Sequence, residues 1–211
     1  NVGGLVGSQS DGAVLDNGRN TGIVQGTTNV GGFVGSNGAG SSLSNLENAP
    51  QASVIGKTNV GGIAGSNAGR IIVDASGLRN EGRVYGVENV GGTVGYNTAS
   101  GIVKNINSNM ELFVNGTASD AKYFGGVVGK NEGKVINATN SGSIKAAGAE
   151  YVGGIIGLNT AQDAFIDEDG STSSEFVNNG EVSGKNFVGG IIGLNQATAL
   201  DGVTATNKGS V

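Results

Sequence analysis

Glycine-rich stretches beside hydrophobic residues are the first candidates for chemistry in this chain of 211 residues. A phosphate-binding loop needs Gly-x-x-x-x-Gly-Lys-[Ser/Thr] followed by a helix, because backbone N–H groups and the lysine hold the phosphates. The nearest approach is FGGVVGKN, from Phe124 to Asn131. It has phenylalanine for the first glycine and asparagine for the last residue, and no helical pattern follows. We therefore expect no nucleotide site and no cofactor.

Acidic side chains are the next candidates. Asp163, Asp167, Glu168 and Asp169 form the densest cluster, just before Gly170. Calcium prefers several oxygen ligands, but the order of these residues matches neither an EF-hand nor a Gly-Gly-x-Gly-x-Asp repeat. The sequence favours a solvated acidic loop and leaves Asp163, Asp167 and Asp169 as weak metal candidates.

Catalysis by two carboxylates, as in glycoside hydrolysis, needs a pair of acids on either side of one bond. The available acids are scattered, about one per repeat and at non-equivalent positions: Asp16, Glu47, Asp74, Glu111 and Glu175. The chain has no histidine and no cysteine, which excludes a serine-type triad, a disulfide and the usual zinc sites. We predict no enzyme, with a carbohydrate-active enzyme as the alternative.

The charge balance and hydropathy limit the partners. The net charge of −5 argues against nucleic acid, which proteins bind through basic patches. No apolar run reaches the 18 residues that a membrane span needs, so we expect no membrane insertion. The first residues also lack a signal-peptide pattern, so a secretion signal would lie outside this chain.

A repeat dominates the sequence, in which 42 residues are glycine. A Val-Gly-Gly-x-x-Gly motif, with Phe replacing Val once, begins at seven places that are 28 to 36 residues apart: Val2, Val30, Val60, Val90, Phe124, Val152 and Val188. Its second and last glycines are Gly4, Gly7, Gly32, Gly35, Gly62, Gly65, Gly92, Gly95, Gly126, Gly129, Gly154, Gly157, Gly190 and Gly193. A polar turn follows six of the motifs and contains Asn37, Asn67, Asn97, Asn131, Asn159 and Asn195.

Two further segments share the period. One reads Gly-x-hydrophobic, as in the segments 69–73 and 133–136, and the other reads Asn-x-Gly-x-[Val/Ile], as in 80–84, 140–144, 178–182 and 207–211. Each unit thus has three short β-branched runs separated by turn residues. Val and Ile favour strands, while Gly and Asn supply the positive φ of tight corners.

These patterns predict an all-β fold, a parallel β-helix with three short strands per coil and about seven coils, expected to be right-handed. We interpret residues 1–211 as one domain, with repeats starting near 1, 29, 59, 89, 123, 151 and 187. The six turn asparagines would stack at one corner, with amides paired along the axis. A β-propeller is the alternative, but its blades usually take about 40–50 residues. Neither end carries an atypical capping repeat, so we expect a section of a longer array.

The chain resembles the GLUG-motif repeats, named for a Gly-Leu-hydrophobic-Gly core. Gly4-Leu5-Val6-Gly7 fits that core directly, and five other repeats are close variants. Thr93 departs from it, which predicts a half-exposed corner at that position. Such repeats occur in large exported bacterial proteins, including filamentous-haemagglutinin-like adhesins and immunoglobulin A proteases. The resemblance covers the whole chain, but no catalytic motif of those proteases is present.

Two irregular intervals are candidates for binding. The spans 98–122 and 158–186 contain extra residues, among them Phe113, Phe165 and Phe176. Insertions in a solenoid often leave the stack as loops on a binding face. The alternative, which we weigh more heavily, is that they widen a corner while Phe113 and Phe176 pack in the core.

The sequence and the resemblance together predict a structural or adhesive segment of a bacterial surface or secreted protein, acting as a stiff stalk or binding shaft. Its partners would be a host surface protein, a glycan or neighbouring copies of itself. A self-assembling extracellular filament subunit remains a further alternative, beside the carbohydrate-active enzyme.

Overall fold

The fold is a β-solenoid, as the repeat predicted. The computed structural model describes residues 1–72, 80–197, 200 and 202–211. Val73 and Asp74, which the sequence analysis considered, lie outside the described residues. Every strand of the described residues pairs in parallel with the equivalent strand of a neighbouring repeat, in three sheets. Parallel stacking of successive repeats rules out a propeller, in which each blade is a separate sheet of its own repeat.

The first two sheets each contain seven strands, one from each of seven coils. We number the coils 1 to 7 by their copy of the glycine motif. The first sheet consists of Val2–Gly3, Thr28–Gly31, Thr58–Gly61, Glu88–Gly91, Lys122–Gly125, Glu150–Gly153 and Asn186–Gly189. The second consists of Val6–Gln9, Val34–Asn37, Ala64–Asn67, Val94–Asn97, Val128–Asn131, Ile156–Asn159 and Ile192–Asn195. Seven strands at the usual spacing make a stack about 30 Å long.

The third sheet has twelve strands, because most coils contribute two. They are Val14–Asn20, Ile23–Gln25, Ser42–Asn48, Ser53–Ile55, Arg70–Ile72, Asn80–Gly86, Ile102–Val114, Lys134–Asn140, Ile144–Lys145, Ser174–Asn178, Val182–Ser183 and Val203–Asn207. In coil 4 a single strand of 13 residues covers both positions. A 3-10 helix at Ala118–Asp120 follows it, and the described residues contain no other helix.

The glycine motif is a corner and not one strand, which corrects our division of the repeat. In coil 2 the first sheet ends at Gly31 and the second begins at Val34, so the motif turns between them at Gly32 and Phe33. The Gly-x-hydrophobic and Asn-x-Gly segments, which we expected as two separate sides, lie in one sheet. Each coil therefore has three sides, but their limits differ from those read in the sequence.

The core is narrow and has two parts. One cluster contains Phe33, Leu46 and Ile63 and packs between the second and third sheets. The other contains Val30, Val54 and Val84 and packs behind the first sheet. Equivalent residues lie directly above one another, as in the paired positions of Val2 with Val30 and of Val6 with Val34. In these pairs, like residues are stacked on like along the axis of the rod.

No helix in the described part of the chain is long and apolar enough to cross a membrane.

Candidate functional site

The glycines of the motif are required by close contact between coils. A Cβ added to the second glycine would lie 2.0 to 2.3 Å from the carbonyl oxygen of the equivalent glycine in the next coil, at Gly4, Gly32, Gly62, Gly92, Gly126 and Gly154. A Cβ on the last glycine would lie 2.4 to 2.7 Å from the previous coil's backbone, at Gly35, Gly65, Gly95, Gly129, Gly157 and Gly193. Real Cβ contacts are longer than this, so the motif sets how closely the coils approach. Gly7, in coil 1, is the open exception, and Gly190 instead faces Asn207.

The turn asparagines form one hydrogen-bonded column, which we call the corner column: Asn37, Asn67, Asn97, Asn131, Asn159 and Asn195. In each step the side-chain Nδ2 donates to Oδ1 of the next asparagine at 2.8 Å. The five members from Asn37 to Asn159 are buried. Gln9 takes the same register position in coil 1, but its Nε2 donates to the carbonyls of Ala13 and Ser42. Buried amides need partners, and the repetition of the column supplies them.

A second column, which the sequence reading missed, lies inside the third sheet. This inner column is Asn20, Asn48, Asn80, Ser108, Asn140, Asn178 and Asn207. Hydrogen bonds of 2.8 to 2.9 Å between side-chain amides join its members, except around Ser108. A member of the column begins each Asn-x-Gly segment, so the period is visible in the sequence, but the pattern there predicts only turns.

In coil 4 the inner column has Ser108 in place of asparagine, and the hydroxyl of Thr93 is a second polar group next to the column. Asn80 Nδ2 donates to the Gly92 carbonyl at 2.6 Å and contacts the Thr93 hydroxyl oxygen at 3.3 Å. Thr93 is fully buried, so its expected place at a half-exposed corner is wrong. The hydroxyl of Ser108 is buried and has no hydrogen-bond partner among the described residues.

A third column, which we call the outer column, precedes each glycine motif. In coils 1 to 4 it consists of Asn1, Asn29, Asn59 and Asn89, whose side-chain amides are joined by hydrogen bonds of 2.7 Å. In coils 5 to 7 it continues as Tyr123, Tyr151 and Phe187, whose rings stack at 5.2 and 4.9 Å between centroids.

The aromatic members of the outer column share the backbone of the asparagines. The φ angles of Tyr123, Tyr151 and Phe187 lie between 52° and 61°. Asparagine tolerates this left-handed conformation, whereas bulky residues rarely adopt it. Ring stacking therefore holds a backbone that local preference disfavours.

The acidic cluster lies in a loop that packs on the rod and is anchored there by ion pairs. We call residues 160–173 the acidic loop. Asp167 pairs with Lys104 at 2.5 Å, and Glu168 pairs with Arg70. The neighbouring cations hold the pKa of both carboxyls below the usual range, with the side-chain hydrogen bond as the main cause in each case. The loop of coil 6 thus reaches back to coils 4 and 3.

The apolar side of the acidic loop enters the core. Phe165 is buried and contacts Phe176 edge-on at 5.2 Å, while the Ala164 carbonyl accepts from Val135 N–H at 2.8 Å. Phe176 packs in the core, as the favoured interpretation of the insertions predicted. Phe113 does not, because it lies half-buried on the outer surface, stacked on Tyr85 at 5.0 Å.

The metal candidates are not brought together as a site. Among the described residues, no group of three or more His, Cys, Asp or Glu side chains is placed to hold a metal ion. Asp167 is engaged with Lys104, and Asp169 accepts from the backbone N–H of Ser171 at 2.8 Å. Asp163, Glu168 and Asp169 are exposed, in agreement with a solvated acidic loop, but ion pairs at Asp167 and Glu168 anchor the loop to the rod.

The acids considered for catalysis make separate contacts. Asp16 accepts from Ser44 and Asn45, which lower its pKa, and Glu47 pairs with Arg19 at 3.2 Å. Glu111 pairs with Lys145 at 2.8 Å, which is the main cause of its lowered pKa. Asp74 lies outside the described residues, and Glu175 is exposed.

The nearest match to a phosphate loop is also structural. Phe124 is fully buried in the first sheet, and strands lie on both sides of its glycines. Lys130 pairs with Glu132 at 2.7 Å and lies 5.1 Å from the ring centroid of Tyr96. Glu132 and Tyr96 thus hold the Lys130 side chain on the outer surface of the second sheet.

The described side of the rod has two shallow grooves on the third sheet, each of about 300 Å³ and lined mainly by polar residues. Both are lined by Glu81 and Asn109, so they adjoin across coils 3 and 4. Asn107 and Thr139 also line one groove, and Arg83 and Glu111 also line the other. Their polar linings could hydrogen-bond a hydrophilic partner.

Comparison of the chain with protein-family models, with curated proteins and with solved structures gives no match.

Proposed function

We propose that this chain is a rigid structural segment of an exported bacterial surface protein, acting as a stalk or binding shaft. The observation that carries the proposal is the set of asparagine columns that run along the rod. Each coil is hydrogen-bonded to its neighbours through side chains as well as through three sheets. Such a chain resists bending, because displacing one coil breaks the backbone hydrogen bonds of the sheets and the side-chain hydrogen bonds of the columns together.

The side of the rod supports the adhesive part of the proposal. The two grooves on the third sheet expose carboxylate, guanidinium and amide groups, which suit a glycan or a polar protein surface. The bacterial surface location follows from the resemblance of the repeat to GLUG-motif proteins, and the partner would be a host protein or glycan.

Single-molecule force spectroscopy tests the stalk. The chain would be inserted between two copies of a globular reference domain and pulled from residues 1 and 211. We expect the solenoid to remain folded at forces that unfold the reference domains. When it yields, each coil of 28 to 36 residues should release about 100 Å of chain. Yielding before the reference domains, or a gradual extension without steps, would reject the stalk.

A binding measurement tests the shaft separately. The chain is passed over glycan and host-protein arrays beside the double variant Glu81→Lys/Arg83→Glu, which reverses two charges that line the grooves. Binding that the variant loses supports a lateral binding face. Binding that persists unchanged places the contact elsewhere and contradicts the grooves, while leaving the mechanical proposal to its own test.

A further inference from the structure

Three cations lie side by side on the outer surface of the third sheet, in the middle of the rod. Arg70 and Lys134, in coils 3 and 5, hold the same register position, because both pair with Ile102 of coil 4. Lys104 lies two residues after Ile102, so its side chain points to the same side of the sheet. Two strand spacings separate Arg70 from Lys134, which is about 10 Å, with Lys104 between them. We call these three residues the cation strip.

The cation strip has its counter-charges in the acidic loop. Lys104 pairs with Asp167 and Arg70 with Glu168, while Lys134 Nζ donates to the Asp167 carbonyl at 3.3 Å. The other ion pairs of the described residues join adjacent coils or lie within one coil. The strip therefore differs from the rest of the charged surface, because its partners come from an insertion and not from the repeat. In a chain with a net charge of −5, it concentrates positive charge in one place.

The part of the acidic loop that covers the cation strip is held to the rod mainly by charge. We call residues 167–171 the tip. Its backbone hydrogen bonds are internal, from Asp167 N–H to the Ser171 carbonyl at 2.9 Å and from Gly170 N–H to the Asp167 carbonyl at 3.1 Å. No backbone–backbone hydrogen bond joins the tip to the rod within the described ranges. Phe165, just before the tip, is buried in the core, so the tip can leave the strip while the loop stays anchored.

The tip shows which chemistry the cation strip accepts. Two consecutive carboxylates reach cations of two neighbouring coils, and a main-chain carbonyl accepts from the third cation. Consecutive acidic side chains on a peptide backbone supply all three contacts. An acidic glycan supplies carboxylates but has no peptide carbonyl beside them. The contacts therefore favour a peptide ligand over a glycan.

We infer that the cation strip is a binding site for an acidic peptide segment with consecutive Asp or Glu residues, and that the tip occupies this site until such a segment replaces it. Exposed ion pairs contribute little to stability, so a free acidic segment competes with the tip on nearly equal terms. The strip shares no residue with the two grooves on the third sheet. The inference thus goes beyond the proposed stalk and shaft and does not depend on either.

A variant with a neutral tip tests the inference. Asp167→Asn/Glu168→Gln keeps the size of both side chains and removes their charge, and circular dichroism checks that the fold is intact. Glu175→Gln/Glu181→Gln is the matched control, because it neutralises two exposed carboxylates of the same coil. The probe is a synthetic peptide with the sequence of residues 166–172, which contains three acidic residues. A control peptide has Asn and Gln in their place.

Fluorescence anisotropy of the labelled peptide gives the affinities. A site that its own tip occupies for most of the time loses apparent affinity in proportion, so the neutral-tip variant should bind about tenfold more tightly than the unmodified chain. The matched control should bind as the unmodified chain does. Adding Lys104→Gln/Lys134→Gln to the neutral-tip variant should abolish binding. Equal affinities of the neutral-tip variant and the unmodified chain, or binding that survives loss of the two lysines, would overturn the inference.

Two further measurements decide the ligand class and the place of binding. A trimer of galacturonic acid carries the same number of carboxylates as the peptide, and it should bind the neutral-tip variant more weakly. Equal or tighter binding of the trimer would reject a peptide site. In the unmodified chain, saturating acidic peptide should shift the NMR amide signals of residues 167–171, and the control peptide should not. Unmoved tip signals would overturn the inference without any variant having to fold.

Discussion

Asn97→Ala tests the corner column where it is most constrained. Asn97 is fully buried, accepts from Asn67 Nδ2 and donates to Asn131 Oδ1, both at 2.8 Å. Alanine leaves an amide hydrogen of Asn67 without its partner and leaves the oxygen of Asn131 with only the Gly133 N–H, at 3.3 Å. A buried polar group that loses its partner costs about 1–3 kcal/mol. With two such groups and a small cavity, we expect the free energy of unfolding to fall by about 4 kcal/mol.

Equilibrium urea unfolding, followed by far-ultraviolet circular dichroism, measures the change. Asn107→Ala removes an amide of the same size from the exposed surface of coil 4, and should change the unfolding free energy by less than about 0.5 kcal/mol. Asn195→Ala, at the end of the column, removes the acceptor of the Asn159 amide and of the Ala197 N–H, and its effect should fall between the two. If Asn97→Ala matches Asn107→Ala, the column does not stabilise the rod and the reasoning is refuted.

Three further predictions concern backbone contact, the acidic loop and one tyrosine. Gly35→Ala places a Cβ 2.5 Å from backbone atoms of coil 1 and should lower the free energy of unfolding by about 3 kcal/mol or more. Gly7→Ala, at the open equivalent position in coil 1, should lower it by less than about 1 kcal/mol. Equal losses of thermal stability in the two variants would contradict the role of close contact. Lys104 lowers the pKa of Asp167, so their pairing is complete above the unfolded value of about 3.9 and is lost as pH falls through the lower folded value. The NMR amide shifts of residues 160–173 should therefore move in a step below about pH 4, and Asp167→Asn should remove that step. Burial and the hydrogen bond to Glu132 raise the pKa of Tyr96 to about 12. An ultraviolet titration should therefore show one phenol that ionises near pH 12, and Tyr96→Phe should lack that step.

The repeat made the coil predictable, because seven copies of one motif recur at 28 to 36 residues, which is too short for a propeller blade and suits one coil of a solenoid. It also placed the corner column, since asparagine at one position per coil must meet its equivalents. The limits of the sides were not readable in the same way. The hydrophobic residues Val30, Phe33 and Val34 on either side of Gly31 and Gly32 predict one short strand, but the first sheet ends at Gly31 and the second begins at Val34. The turn contains Gly32, where the next coil's backbone leaves no room for a Cβ.

The acidic loop shows what a repeat cannot predict. Its partners lie far away in the sequence, since Asp167 is 63 residues from Lys104 and Glu168 is 98 residues from Arg70. Nothing in the period links these positions, because the loop belongs to the part of coil 6 that departs from the repeat. Its charge suggested solvent or calcium, whereas its folded position depends on Phe165 entering the core.

The aromatic part of the outer column was equally hidden. Tyr123, Tyr151 and Phe187 precede a glycine motif as Asn29, Asn59 and Asn89 do, but local preference argues against a positive φ at an aromatic residue. Only the stacking of rings from successive coils, which needs the register, explains how the conformation is held.

Disulfide trapping tests the in-register stacking of coils most directly, because the chain has no cysteine of its own. Ser36 and Ser66 are register partners in adjacent strands. Their Cα atoms should lie about 4.8 Å apart, within the range that a disulfide spans. Lys130 is three coils from Ser36 in the same column, at about 14 Å.

In dilute solution, Ser36→Cys/Ser66→Cys should form an intramolecular disulfide under mild oxidation, while Ser36→Cys/Lys130→Cys should stay reduced, as mass spectrometry reports. A reduced first pair, or a second pair that closes as readily within the monomer, would contradict the solenoid on which the account depends.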